Sequence, residues 1–209
     1  MSVVDIAEIA PHHIAPGRGG GGPAPTRVVV AYGFWIFLLS DIILFAGLFA
    51  AYAVLGTSTA RGPAGAQLFD LETVFIETMV LLVSSYTCGL MMLSAERRHP
   101  ERFYVFAALT FVLGAAFVGI EISEFSGMVH EGAGPWRSAF LSSFFTLVGT
   151  HGAHVTCGLV WLVYMVAQMA VKGLRPQILQ RLLCFSLFWH ALDIVWVGVF
   201  TLVYLFGVR

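Results

Sequence analysis

Five long runs of apolar residues follow one another along this chain, separated by short polar segments. Each run meets or exceeds the roughly 20 residues that an α-helix needs to cross the hydrocarbon core of a bilayer. This pattern predicts an all-α integral membrane protein with five transmembrane helices. The predicted helices cover residues 32–55, 71–95, 103–129, 139–171 and 178–206.

The segments outside these runs carry most of the glycine, proline and charge. Residues 1–30 contain a Gly/Pro-rich stretch but no apolar core like that of a signal peptide, so we expect a flexible N-terminal tail ahead of a membrane domain at 31–209. Residues 56–70 predict a loop, because they are rich in glycine, proline and threonine. The charged turn at 96–102 contains Pro100, which predicts a break between two helices.

Composition supports the membrane assignment and excludes one class of partner. Hydrophobic residues make up 58% of the chain and charged residues only 11%, whereas a soluble domain carries about 25% charged residues. The formal net charge is −1, which argues against bulk electrostatic attraction to nucleic acid.

Arginine and lysine are distributed unevenly between the two sets of loops. With a cytoplasmic N-terminus, the inner segments would hold most of them, as the positive-inside rule requires. The inner residues would be Arg18, Arg27, Arg97, Arg98, Arg102, Lys172, Arg175 and Arg181, and the outer ones Arg61, Arg137 and Arg209. We therefore expect a cytoplasmic N-terminus and a periplasmic C-terminus.

Two of the predicted helices carry polar residues three positions apart, deep within apolar sequence: His151 with His154, and His190 with Asp193. Residues at this spacing share one face of a helix, and ionisable groups near mid-membrane normally face protein and take a partner. Because the two helices are consecutive, we expect the pairs to contact each other, with a neutral imidazole on the aspartate.

Carboxylic acids form a second buried group, in the first three predicted helices. Glu77 and Glu124 lie at similar depths below the outer surface, so they could meet. Two ionised carboxylates cannot share an apolar site, so at least one would be protonated or paired with a cation. The other members of this group are Asp41 and Glu121.

These residues leave three interpretations open. The histidine pair facing His190 and Asp193 could bind a metal or haem, although no Glu-x-x-His motif occurs within a predicted helix. The buried carboxylates could form a proton or ion path. Alternatively, all of them could form hydrogen bonds between helices, where Gly149, Gly152 and Gly158 permit close approach.

The two paired motifs also resemble a known family. Gly-Thr-His-Gly-Ala-His-Val at 149–155 and Trp-His-Ala-Leu-Asp-Ile-Val-Trp at 189–196 are similar to the signature segments of subunit III of the haem-copper respiratory oxidases. Residues 33–41 resemble the family's first shared helix, and Glu124, between Ser123 and Phe125, sits where the family has a helix-end glutamate.

Within this family the chain is most similar to the cytochrome bo-type ubiquinol oxidases. It has five predicted helices where the mitochondrial cytochrome c oxidase subunit has seven. Asp41 stands where cytochrome c oxidases usually carry a glutamate, and Gly62-Pro63-x-Gly65 before Phe69 resembles the quinol oxidase loop.

The resemblance implies a subunit without a redox centre, in a proton-pumping terminal oxidase of a bacterial inner membrane. Haem b, haem o and copper would lie in subunit I, the main partner, which oxidises ubiquinol and reduces oxygen to water; subunits II and IV would be further partners. Phospholipids would occupy a cleft between the first two helices and the last three, and this chain would stabilise subunit I and support proton uptake.

The same resemblance assigns roles to the buried residues. His151, His154, His190 and Asp193 would be structural, and Asp41 would match a carboxylate linked to lipid and proton behaviour. We expect no catalytic, cofactor-binding or metal-binding residue in this chain. The alternatives are subunit III of a bacterial cytochrome c oxidase, a stand-alone metalloenzyme built on the two polar pairs, and a proton channel through Asp41 and Glu77.

Overall fold

The computed structural model describes residues 26–60, 68 and 70–207, and its long elements are all helices. They are α1 (Thr26–Leu55), α2 (Leu71–Glu96), α3 (Pro100–His130), α4 (Ala139–Lys172) and α5 (Pro176–Val199), which continues as a π-helical segment at Phe200–Leu205. Within the described residues, five helices are long and apolar enough to cross a membrane. The prediction of an all-α protein with five such helices is therefore confirmed.

The helix boundaries differ from the predicted ones mainly at the N-terminal ends. Helix α1 begins at Thr26, so residues 26–30 of the predicted tail are helical, and residues 1–25 lie outside the described part of the chain. The break that Pro100 predicted is confirmed, since α2 ends at Glu96 and α3 begins at Pro100, and Pro176 begins α5 in the same way. Proline is tolerated in the first turn of a helix because its missing N–H would have no partner there.

Polar caps explain why α2 and α4 begin at the predicted residues. The Asp70 side chain accepts hydrogen bonds from the backbone N–H of Glu72 at 3.1 Å and from the Thr73 hydroxyl at 2.7 Å. The Ser138 hydroxyl accepts from the backbone N–H of Leu141 at 3.2 Å. These bonds satisfy N–H groups that the first turn of a helix leaves without partners.

Helices α2 to α5 form a four-helix bundle, and α1 packs against its outside. In the bundle each helix contacts the next along the chain, and α5 closes the ring on α2; α1 lies against α4 and α5. The predicted group of the first two helices, set apart from the last three, is therefore wrong. The connection at 97–99 is short enough to force α2 and α3 together, whereas the longer one at 56–70 lets α1 and α2 separate.

One tryptophan of α5, Trp189, contacts the other three helices of the bundle. The Trp189 side chain is 2% exposed, and its Nε1 donates to the Ser84 hydroxyl of α2 at 2.9 Å. Its six-membered ring lies against Gly114 of α3 and Gly158 of α4, where a β-carbon would come within 3 Å of ring atoms. The two glycines thus admit a side chain that contacts three other helices, which fixes the height of α5 in the bundle.

Candidate functional site

His151 of α4 lies in the centre of the bundle and is completely buried. Its Nε2 lies 3.2 Å from the backbone carbonyl oxygen of Leu192 on α5, and its ring packs against Phe117 and Trp196, with centroids 5.6 and 5.0 Å away. A carbonyl oxygen only accepts, so Nε2 carries the proton in this bond. The other nitrogen, Nδ1, has no hydrogen-bond partner among the residues described.

His154 lies one turn further along α4 and faces α1. Its Nδ1 donates to the Thr150 carbonyl oxygen of its own helix at 2.7 Å, and its Nε2 lies 3.9 Å from Oδ1 of Asp41. Both side chains are partly buried, with 23% and 19% of their surface exposed. The aspartate nearest to this histidine is therefore Asp41, not the predicted Asp193.

His190 and Asp193 of α5 turn to different neighbours. The Nδ1 of His190 donates to the Ser186 carbonyl oxygen of its own helix at 2.7 Å, whereas the Asp193 carboxyl interacts with the Ser85 hydroxyl of α2. His151 contacts α5 through the Leu192 backbone, and His154 lies beside Asp41 of α1, so the predicted imidazole–aspartate partnership between the two pairs is wrong. Side chains three apart on a helix are rotated by about 60°, enough to face different helices.

The four polar side chains therefore do not converge on one point. In the described ranges, no group of three or more His, Cys, Asp or Glu side chains is arranged to hold a metal ion. The stand-alone metalloenzyme built on His151, His154, His190 and Asp193 has no common ligand geometry in this bundle.

Three glutamates of α2 and α3 come together inside the bundle. Glu77 of α2 interacts electrostatically with Glu121 and Glu124 of α3, so the predicted meeting of Glu77 with Glu124 is confirmed. The three carboxyl groups are called the carboxyl cluster below. Glu77 is completely buried and Glu121 is 4% exposed, whereas Glu124 is partly exposed.

Two residues that sequence analysis did not assign to this cluster help to build it. The Tyr204 hydroxyl lies beside the Glu124 carboxyl, and Tyr204 belongs to the π-helical segment that ends α5. A π-helical turn rotates the residues that follow, and such turns are frequent at functional sites. On the opposite side, the Glu121 carboxyl group packs against the backbone of Gly152. Gly152 lies within the histidine motif, so this glycine was the feature of the sequence that could have indicated the close contact.

A small polar groove connects the carboxyl cluster with one end of the molecule. It has a volume of about 260 Å³ and runs between the start of α2 and the last turns of α3. Its lining includes two exposed acidic residues, Asp70 and Glu131, which are called its mouth below, together with Ser123, Gly127 and the half-buried Glu124. Hydrogen bonds from the Thr73 side chain and the Glu72 backbone lower the pKa of Asp70, so the mouth carries negative charge at neutral pH.

A second, apolar groove separates α1 from α5. Its volume is about 420 Å³, and it is lined almost entirely by apolar side chains of these two helices. Trp35, Ile42 and Phe49 contribute from α1, and Ile194 contributes from α5. His190 is the one ionisable side chain in its wall.

Comparison with known proteins connects this architecture to a family. The family model described as cytochrome c oxidase subunit III matches residues 21–208. Cytochrome bo(3) ubiquinol oxidase subunit 3 from Pseudomonas aeruginosa is 49% identical over 205 residues, which cover 98% of this chain and 95% of the relative.

More distant relatives carry two different names. Quinol oxidase subunit 3 from Bacillus subtilis is 46% identical over 175 residues, covering 84% of this chain and 86% of the relative. Cytochrome c oxidase subunit 3 from Bacillus sp. is 43% identical over 175 residues, covering 84% of each. The resemblance first seen in the two signature motifs is thus confirmed, and it extends over all five helices. The chain belongs to the cytochrome c oxidase subunit III family, the third subunits of the haem-copper respiratory oxidases.

Proposed function

We propose that this chain is the non-redox subunit III of a proton-pumping quinol oxidase in a bacterial inner membrane. In that complex ubiquinol oxidation and the reduction of oxygen to water take place in subunit I. The observation that carries the proposal is 49% identity, over 98% of the chain, to a relative named as a subunit of a ubiquinol oxidase. The Bacillus subtilis relative named as a quinol oxidase subunit supports the same electron donor.

The cofactors of this complex belong to its partner subunit. Haem b, haem o and copper lie in subunit I, and this chain contributes none of their ligands. The hydrogen bonds of His151, His154 and His190 support this division, because each imidazole donates to a helix carbonyl. His151 joins α4 to α5, whereas His154 and His190 bond to their own helices, and the three imidazoles do not present a shared set of ligands.

Subunit I is the main contact of this chain, with subunits II and IV completing the complex. The surface of α1 is suited to contact with an apolar partner, because many of its large apolar side chains are exposed. Four of them are between 47 and 76% exposed: Ile36, Phe37, Ile43 and Val54. Such a surface must face lipid tails or another membrane subunit. The N-terminus lies in the cytoplasm and the C-terminus in the periplasm, as the arginine and lysine distribution indicates.

Phospholipid occupies the apolar groove between α1 and α5. The groove offers aliphatic and aromatic walls to an acyl chain, and the His190 imidazole is the one ionisable group in its lining. This location replaces the cleft expected between the first two helices and the last three. Asp41, which lies beside His154 at the contact of α1 with α4, supports proton uptake by the assembled enzyme.

The second candidate function is subunit III of a bacterial cytochrome c oxidase. It is favoured by the Bacillus sp. relative of that name, which is 43% identical to this chain. The two candidates differ in the electron donor of the whole complex and leave the fold of this subunit unchanged.

Oxygen consumption by the purified complex separates the two candidates. The complex, isolated in mild detergent through a tag on this chain, is supplied with either ubiquinol or reduced cytochrome c. We expect oxygen uptake with ubiquinol and none above background with cytochrome c. Uptake with cytochrome c, together with a copper-bearing subunit II, would assign the chain to a cytochrome c oxidase.

A further inference from the structure

The carboxyl cluster contains a buried acid that has no counterpart to neutralise it. Glu77 of α2 is completely buried, and neither of its carboxyl oxygens has a hydrogen-bond partner among the residues described. Oε2 of Glu121, which is 4% exposed, is likewise without a partner there. Buried polar groups are nearly always hydrogen-bonded, so carboxyl oxygens left in this state indicate that the site holds something besides the side chains themselves.

The groups that face Glu77 from every neighbouring helix are acidic or uncharged. Helix α3 contributes Glu121 and Glu124, and the end of α5 contributes Tyr204. Helix α4 contributes to the cluster the backbone of Gly152, which lies against the Glu121 carboxyl group. No lysine, arginine or histidine forms an ion pair with these carboxyl groups in the described ranges.

Without a cation, the three carboxyl groups cannot all be ionised. Like charges repel strongly in an apolar surrounding, and burying even one unpaired carboxylate is costly. The described side chains also form no group suited to a metal ion. The species that neutralises the carboxyl groups without a metal ion or a basic side chain is the proton. We therefore expect protons to be held on the carboxyl oxygens and shared between them.

The polar groove gives these protons a route to water. Glu124 is both a member of the cluster and the inner wall of the groove, while Asp70 and Glu131 stand at the mouth. A volume of about 260 Å³ accommodates several water molecules at about 30 Å³ each. The hydroxyl groups of Ser123 and Thr73 line the path.

We propose that Glu77, Glu121 and Glu124 form a buried proton-exchange site, which holds protons among its carboxyl groups and exchanges them with water through the groove between α2 and α3. A proton leaves the Glu124 carboxyl for a water molecule in the groove, and the carboxylate regains one from water or from its cluster neighbours. No electron and no other bond takes part. The site lies in this subunit alone, so it does not depend on which electron donor the complex uses.

Infrared spectroscopy of the intact purified complex tests whether the carboxyl groups hold protons. Protonated carboxylic acids have a C=O stretching band that carboxylates lack, and this band shifts when the proton is exchanged for deuterium. We expect each of the variants Glu77→Gln, Glu121→Gln and Glu124→Gln to change the position or the intensity of this band. In at least one of the three variants the band should lose intensity. The matched control is Glu101→Gln, which removes an exposed carboxyl group at the opposite end of α3 and should leave the band unchanged. A band identical to wild type in all three cluster variants would overturn the proposal.

Blocking the groove tests the route independently of the cluster residues. A β-carbon at Gly127 would meet no atom within 4 Å, so Gly127→Phe places a ring in the groove without a clash at its base. We expect deuterium exchange of the cluster band to slow severalfold in this variant. Gly119→Phe is the control, because position 119 is equally open but does not line the groove. Equal exchange rates in the two variants would contradict the proposed route, and slowing only in Gly127→Phe would support it.

Discussion

The carboxyl group of Glu121 on α3 packs directly against the backbone of Gly152 on α4. A β-carbon at position 152 would lie 2.5 and 2.6 Å from the two carboxyl oxygens and 2.8 Å from the carboxyl carbon. The absence of a side chain at Gly152 therefore provides the space in which the buried carboxyl group lies. This contact links the histidine motif of α4 to the carboxyl cluster.

Gly152→Ala is expected to destabilise the protein by about 1–3 kcal/mol, because overpacking forces buried side chains out of their positions. The measurement is the thermal unfolding of the purified complex. Gly149→Ala is the control on the same helix, since the nearest atom to a β-carbon there is Cε2 of Phe125 at an ordinary 3.5 Å. Glu121→Ala should cost less in the Gly152→Ala background than alone. Equal unfolding temperatures for the two glycine variants would argue against the contact.

A second packing prediction concerns the tryptophan at the bundle centre. A β-carbon at Gly158 would lie 2.8 Å from Cζ3 of Trp189, and this ring cannot move without losing its hydrogen bond to Ser84. We expect Gly158→Ala to lower stability by about 1–3 kcal/mol.

The matched control for Gly158→Ala is Gly119→Ala, where a β-carbon would meet no atom within 4 Å. Alanine is a better helix former than glycine by about 1 kcal/mol, so this control should be neutral or slightly stabilising. The prediction fails if both variants shift the unfolding temperature in the same direction by the same amount.

The third prediction concerns the pH dependence of the cap on α2. Hydrogen bonds from Thr73 and Glu72 lower the pKa of Asp70 below its usual 3.8. Because the pKa is lower in the folded state, the stabilisation by the ionised cap is complete above pH 3.8 and is lost as the pH falls through the lowered pKa.

Asp70→Asn tests this charge while it keeps an oxygen that can cap the helix. We expect the variant to be less stable than wild type at neutral pH, with the difference shrinking once the pH falls below 3.8. Unfolding temperatures of both proteins across the pH range provide the measurement. A difference that stays constant down to the lowest pH would show that the charge of Asp70 contributes nothing.

The fourth prediction concerns the apolar groove between α1 and α5. Ala46 lines this groove, so Ala46→Trp should fill it and reduce the number of phospholipids that remain with the purified complex. Ala51→Trp is the control, because Ala51 is exposed on the same helix but does not line the groove. Phospholipid content is measured by phosphorus analysis. Equal lipid retention in the two variants would place the bound lipid elsewhere.

The sequence was sufficient to predict the five helices and the meeting of Glu77 with Glu124 in the carboxyl cluster, but not the contacts of the histidines. Apolar run length predicted all five helices, and α2 and α4 begin at the predicted residues, where the structure shows caps from Asp70 and Ser138. Equal depth correctly brought Glu77 and Glu124 together. The break between two helices at Pro100 was also predicted correctly, but α3 begins at the proline itself and not at residue 103, because proline is favoured in the first turn of a helix.

Contacts between helices could not be predicted in the same way. Asp193 was expected to face the histidines of α4, but its rotation on α5 turns it towards Ser85 of α2. The partner of His154 is Asp41, on a helix far away in the sequence. Rotation and neighbour order depend on packing of the whole bundle, and the π-helical turn that positions Tyr204 leaves no periodic signal in an apolar run.

The central claim is that this chain is a structural subunit in which the buried imidazole of His151 joins two helices while a partner carries the redox centres. It is tested most directly by isolating the chain through a tag in mild detergent and recording the visible spectrum and metal content of the complex and of the separated chain. We predict that a larger haem- and copper-bearing subunit co-purifies in equal amount, and that the separated chain has neither chromophore nor bound metal. Stoichiometric haem, iron or copper on the chain alone would contradict this account.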